Sequence, residues 1–407
     1  MSIHYYSGSK EKIGQRFTQE NGQLDFVRDR FSEFLEVKNL SFLLGAGCSS
    51  LRKGNSQELG IPVMKELAKM FIGEASDATK GIVSSYKDGK ISNIESFLGY
   101  LYQKYQVAIN EKQKDEPGRY QKAIDDTKKF IFDKCHNHNE EIIEVYKKFY
   151  RKLLFRSGNL PRVNVFTTNY DLNNERALDE LGAVYCNGFS GFINRRYNPA
   201  IFKHGLYAEM DTKDKSLAQI DNYFFLYKLH GSINWVRDDS QKTFFGVTEK
   251  QEVGTKDARH MMIYPTPHKQ EDSFGIPYSD MFREFQAKIS RNNSVLVCIG
   301  YGFNDDHVNN IIFRAFTLPT FRLVILGDPK QESIKKLIAL NDSRICVVHG
   351  EEQKSSGDGA EEEKVIYHYF KDFVEYVLPD IGQEKIDEQI RQTEEKLIEM
   401  ENARGQV

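Results

Sequence analysis

The chain has 407 residues (47.1 kDa), with 56 Lys and Arg against 59 Asp and Glu, a formal charge of −3. That balance argues against a whole-chain electrostatic grip on nucleic acid or anionic lipid and leaves direct nucleic-acid binding open only through a local patch. Mean hydropathy is −0.57, and no apolar run approaches the ~20 residues of a membrane span. Five scattered cysteines (Cys48, Cys135, Cys186, Cys298 and Cys346) never form CxxC, which speaks against a disulfide scaffold and the common zinc-finger spacings. The opening stretch MSIHYYSGSKEKIGQRF lacks the apolar core of a signal peptide, so the expected setting is a reducing cytoplasm.

In chain order, six β-rich runs end in Gly, Asn or Asp: NLSFLLGAG (39–47), VNVFTTN (163–169), FFLYKLHG (224–231), SVLVCIGYG (294–302), FRLVILGD (321–328) and RICVVHG (344–350). Apolar on both faces, they predict strands covered on both sides, as in a parallel sheet. Helical patterns between them make the class α/β, a Rossmann-like parallel sheet with helices on both faces, over 39–380. Residues 86–158 differ. Ile94, Phe97, Leu98, Leu101, Tyr102 and Tyr105 share one helix face, and Ile124, Phe130 and Ile131, then Ile142, Val145, Phe149 and Leu153, continue the periodicity. This predicts a helical module, placed over 68–158, inserted between the first and second strands. Residues 351–363 read as an exposed loop. The tail 381–407 reads as a solvated or partner-binding helix; with residues 1–38 it is a candidate assembly element.

Chemistry-bearing residues fall at four strand ends. In Gly45-Ala46-Gly47-Cys48-Ser49, two glycines permit a sharp turn and close approach to a phosphate or nucleotide, although a structural turn needs them equally. Thr168, Asn169 and Asp171 follow the second strand. Asn169 offers a donor and an acceptor and Asp171 acceptors for a ribose or water; the alternative is an Asx-turn capping the next helix. His230 stands between a strand and a Gly-Ser turn, with one ring face open for general-base work; a structural histidine is the alternative. Gly300, Gly302 and Asp305 end the fourth, where a carboxylate could meet a ribose hydroxyl or simply cap a helix. Cys135-His136-Asn137-His138 lacks a second ligand pair and reads as exposed helix-end residues, so no metal is predicted. Strands of one parallel sheet bring these ends to one rim, which predicts a nucleotide site holding one Asn and one His.

In this order the residues resemble the sirtuin family: GAGCS with GIP, TTNYD, LHG and the later GYG turn. The resemblance implies that Gly45, Ala46 and Gly47 cradle the phosphates of NAD; Ser49, Thr168 and Asp171 are read as further cofactor-binding residues from their strand-end positions. It also implies that Asn169 binds the nicotinamide ribose and attacking water, that His230 is the general base on that ribose, and that Gly300 and Gly302 approach the adenosine half; Asp305 is read as cofactor-binding from its strand-end position beside them. Protein-deacylating sirtuins carry two CxxC pairs in a zinc domain; none exists here, and the helical module stands in its place.

TTNYDL, CNGFSGF (186–192), YKLHGSINW (227–235), IYP (263–265), MFREF (281–285) and GYGFNDDHVNNII (300–312) resemble, more narrowly, the sirtuin-like subunit of bacterial anti-phage systems that pair with a HerA-type ATPase. That likeness implies NAD as substrate, cleaved to nicotinamide and ADP-ribose, a ring-like homo-oligomer, and abortive infection by NAD depletion. The alternatives are a non-catalytic nucleotide-sensing scaffold in an ATPase/DNA-processing complex and an NAD-dependent protein deacylase.

Overall fold

The computed structural model describes residues 2–13, 21–53, 57–87, 90–91, 93–154, 156, 159–207, 220, 222–238, 244–251, 260–262, 275–354, 363–380 and 382. The strands are β1 (Ser2–Ser7), β2 (Lys10–Glu11), β3 (Asn39–Leu44), β4 (Ser50–Lys53), β5 (Gln57–Gly60), β6 (Asn164–Thr167), β7 (Val184–Cys186), β8 (Phe189–Ser190) and β9 (Arg195–Tyr197). They continue as β10 (Tyr223–Lys228), β11 (Gly231–Arg237), β12 (Val247–Glu249), β13 (His260–Met262), β14 (Ser294–Ile299), β15 (Arg322–Leu326), β16 (Ile345–Lys354) and β17 (Glu363–Ile366).

All six apolar runs become strands of one sheet, in the order β2-β1-β16-β15-β14-β3-β6-β10-β7, with β17 added to β16. The run from β16 to β7 is parallel throughout. Alternate side chains explain why these runs are apolar on both faces. Leu40, Phe42 and Leu44 of β3 enter one buried cluster with helices Asn21–Leu35 and Glu140–Leu154. Leu43 enters the opposite cluster, with helices Tyr278–Ile289, Asp306–Ala315 and Glu332–Ala339. The class is therefore α/β with a mostly parallel sheet and helices on both faces.

The helical stretch behaves as two packing units. Helices Met64–Glu74, Asp77–Val83, Ile94–Asn110 and Glu116–His136 bury Phe71, Phe97, Leu101 and Phe130 in a third cluster. Ser76 caps the second of these and ties it to the last, since Ser76 Oγ donates to Asp126 Oδ2 at 2.6 Å. Pro117 in the first turn of Glu116–His136 suits a helix start, where its missing N–H costs nothing. By contrast, helix Glu140–Leu154 turns Ile142, Val145, Phe149 and Leu153 onto the sheet, where Phe149 meets Phe42 edge-on at 5.1 Å.

Three further features depart from expectation. The sheet begins before residue 39, because β1 pairs antiparallel with β16, so this part of 1–38 is built into the sheet. β16 runs on to Lys354 and pairs with β17, making strand of both ends of the expected loop; 355–362 lie outside the described residues. A second sheet, β13-β11-β12-β9-β8, is antiparallel, and its strand β11 starts directly after His230. The tail 381–407, apart from position 382, and the IYP segment at 263–265 also lie outside the described residues. Among those described, no helix is long and apolar enough to cross a membrane.

Candidate active site

From β3 the chain moves to β6 and β10 on one side and later returns to β14 on the other. Where strand order reverses, the loops at the carboxyl ends diverge and leave a crevice, the usual ligand position of an open parallel sheet. Here the two loops beside that point are Gly45-Ala46-Gly47 and Gly300-Tyr301-Gly302, and they pack on each other. Gly47 N donates to Gly300 O at 3.0 Å, and Gly45 N to Ile299 O at 2.9 Å. A Cβ on Gly45 would lie 2.4 Å from Gly300 O and 2.6 Å from Tyr301 Cα. Gly300 itself has φ +61, and a Cβ there would lie 2.7 Å from Cys48 N. Only glycine satisfies both positions. Cys48, between them, is buried, and desolvation drives its thiol well above the ordinary range.

Over these turns lies a cavity of about 320 Å³, within the range of small-molecule sites. Asn169 and Asp171 reach it from the loop after β6. Asn169 Nδ2 donates to Gly45 O at 2.9 Å and to Ser49 Oγ at 2.8 Å, and Ser49 Oγ donates to Asp171 Oδ2 at 2.6 Å. Because Gly45 O only accepts, the amide orientation is fixed: both Nδ2 hydrogens are spent on protein and Oδ1 remains to serve a ligand. Asp171 Oδ1 accepts from Asn173 N at 3.0 Å, so the expected Asx-turn exists and coexists with the site.

His230, at the end of β10, places Nε2 2.9 Å from Asp305 Oδ2, with both side chains about nine-tenths buried. The approach lacks the alignment of a hydrogen bond and is an ion pair only when the imidazole is protonated. The other oxygen, Asp305 Oδ1, accepts from His307 N at 3.0 Å and Val308 N at 3.3 Å, capping helix Asp306–Ala315. Asp305 thus caps a helix, as one of its two expected readings had it, and it also faces the histidine and lines the cavity.

The cavity is lined by Ala46, Ser49, Thr168, Asn169, Asp171, His230, Gly300, Gly302 and Asp305, so nine of the eleven residues read from the sequence come together. Gly45 and Gly47 are not among its lining residues; they pack on Gly300 and bring the two loops close together. The sequence reading missed Tyr301 and Asn304, which sit inside a motif it had singled out. It also missed the far wall, made by Ile61, Pro62, Leu67, Ile94, Ile131 and Cys135 with polar Asn93 and Ser96. Cys135 is buried, not exposed as expected, because it faces inward on the last turn of its helix. No Lys or Arg is among the described lining residues, while Asp171 and Asp305 are. Among the described residues no group of three or more His, Cys, Asp or Glu could hold a metal ion.

A SIR2-like domain model matches residues 163–347, from just before β6 into β16, and so contains Asn169, His230 and the GYG turn. The match supports a sirtuin-like family, whose members are NAD-dependent enzymes. No curated protein matches the sequence.

Proposed function

We propose that this protein is an NAD glycohydrolase, breaking the bond between the nicotinamide nitrogen and C1′ of the ribose. The observation that supports this best is one Asn and one His held over a paired glycine turn at the switch point, inside the SIR2-like match. Nicotinamide departs with the electron pair of the N-glycosidic bond, and positive charge develops on the sugar. Asp171 and Asp305 supply negative potential to that charge in a site lined by no cationic side chain among the described residues. Asn169 Oδ1 orients the ribose and the attacking water. As the water oxygen bonds to C1′, His230 takes its proton, and the imidazolium so formed lies 2.9 Å from Asp305 Oδ2. The products are nicotinamide and ADP-ribose.

The wider reading is that NAD depletion serves anti-phage defence by abortive infection, with a HerA-type ATPase as partner and a ring-like homo-oligomer as the working form, in the cytoplasm. The motif resemblance supports it. The test is incubation of the purified chain with NAD, alone and with the ATPase, following nicotinamide and ADP-ribose by chromatography. Expected is turnover that falls 10²–10⁴-fold in His230→Ala, the usual loss with a general base, and comparably in Asn169→Ala. NAD binding with no product in either setting would leave a nucleotide-sensing scaffold. Product formed only as an acyl-ADP-ribose from an acylated peptide would make it a deacylase. Co-migration of the chain and the ATPase at one mass in solution checks the assembly.

A further inference from the structure

Lys228 is fully buried, two residues before His230. Its ammonium donates to Tyr170 O at 3.3 Å, to Asp171 O, to Ser232 Oγ at 2.7 Å and to Glu175 Oε1 at 3.0 Å. Three protons and four acceptors saturate the group. The acceptors belong to separate pieces of the site. Tyr170 and Asp171 directly follow Asn169 in its loop, Glu175 lies in the first turn of helix Asn173–Glu180, and Ser232 is the second residue of β11, two past His230.

Such a buried pair is a costly way to fill a core, since an apolar side chain of equal size would pack there without desolvating two charges. Its partner shows the cost. Burial pushes the Glu175 carboxyl above its ordinary range, and Glu175 Oε2 has no hydrogen-bond partner. What the lysine supplies and an apolar residue cannot is direction. One rigid cation draws two backbone carbonyls of one catalytic loop and the hydroxyl beyond the other to a single point.

Resting on the glycohydrolase reading, we propose that Lys228 is a positioning residue that sets Asn169 and His230 relative to each other, and that it touches neither substrate nor the reacting atoms. The test compares wild type, Lys228→Met and Lys228→Met/Glu175→Gln in the full chain. The double variant removes both charges and keeps the fold where the single one leaves Glu175 buried and unpaired. Melting temperature, kcat and KM for NAD, and hydrogen exchange in peptides covering 168–173 and 229–233 are read together. Expected in the double variant is a melting temperature above that of Lys228→Met, kcat at least 100-fold lower, KM within about threefold, and exchange at least tenfold faster in those two peptides alone. Wild-type kcat, or exchange unchanged there, overturns the proposal. A uniform rise in exchange with a lower melting temperature also overturns it, as that is the signature of a merely structural lysine. If wild type cleaves no NAD, the glycohydrolase reading fails by itself, and exchange in the two loops still decides for or against Lys228.

Discussion

The cavity has two walls built on different principles. The rim formed by the ends of β3, β6, β10 and β14 is backbone pressed on backbone, with nearly every polar atom committed: Asn169 to Gly45 and Ser49, Ser49 to Asp171, Asp305 to a helix cap and to His230. The facing wall, from Ile61 to Cys135, is mostly aliphatic and belongs to a separate cluster of helices. Chemistry that needs fixed donors and acceptors sits on the rim; the helical wall can supply shape and exclude water. The same residue type should therefore respond oppositely on the two sides.

Glycine gives the sharpest version. Gly300→Ala forces a side chain into φ +61 and to within 2.7–2.9 Å of Cys48 and Gly47 backbone. A loss of about 3 kcal/mol, the upper end of ordinary single substitutions, is expected in denaturant melts, together with loss of NAD binding. Gly118, in helix Glu116–His136, has nothing within 4 Å of the point where a Cβ would stand, so Gly118→Ala should stabilise by about 0.5–1 kcal/mol. Equal effects at the two sites would mean that the rim is not the rigid side.

A smaller effect tests what the helical wall does. Ser96 is exposed at its edge, in the first turn of helix Ile94–Asn110 and facing the cavity. Ser96→Trp should narrow the mouth and raise KM for NAD about tenfold, or about 1.4 kcal/mol, with kcat within threefold of wild type. A fall in kcat at unchanged KM would show the wall taking part in the chemistry and would erase the distinction.

The same contrast explains what the sequence made legible. The six sheet strands were readable because continuous apolar runs have one stable use, burial on both faces, and that fixes their carboxyl ends on one rim. Asn169, His230, Ser49 and Asp171 follow, since a residue at a strand end has little freedom of placement. Ile94 and Ile131 were readable as helical core but not as cavity lining, because which aliphatic faces a ligand depends on how two distant helices cross. The second sheet escaped notice because strands as short as Phe189–Ser190 and Arg195–Tyr197 show no usable period. Lys228 was invisible for a different reason. A lysine in a strand reads as an edge or surface residue until the carbonyls that it serves are in place.

The smallest predicted effect separates the rim's histidine from those at the far edge of the sheet. His349 on β16 and His368 face each other Nδ1 to Nδ1 at 3.2 Å, with His4 of β1 stacked on His349 at 6.2 Å. Burial pushes His368 down to about 4 and lowers His349 as well. A histidine kept neutral in the fold takes up a proton first when unfolded. Stability should thus be complete above the ordinary value near 6.5 and decline as pH falls from there toward about 4. His368→Gln, which can still hydrogen-bond to His349, should flatten that decline in melting temperature and leave the pH dependence of NAD turnover unchanged. His230→Ala should by contrast remove turnover. If His368→Gln moved the turnover profile, the rim and the edge would be one titrating unit, and the separation between a catalytic rim and the rest of the sheet would fail at its weakest point.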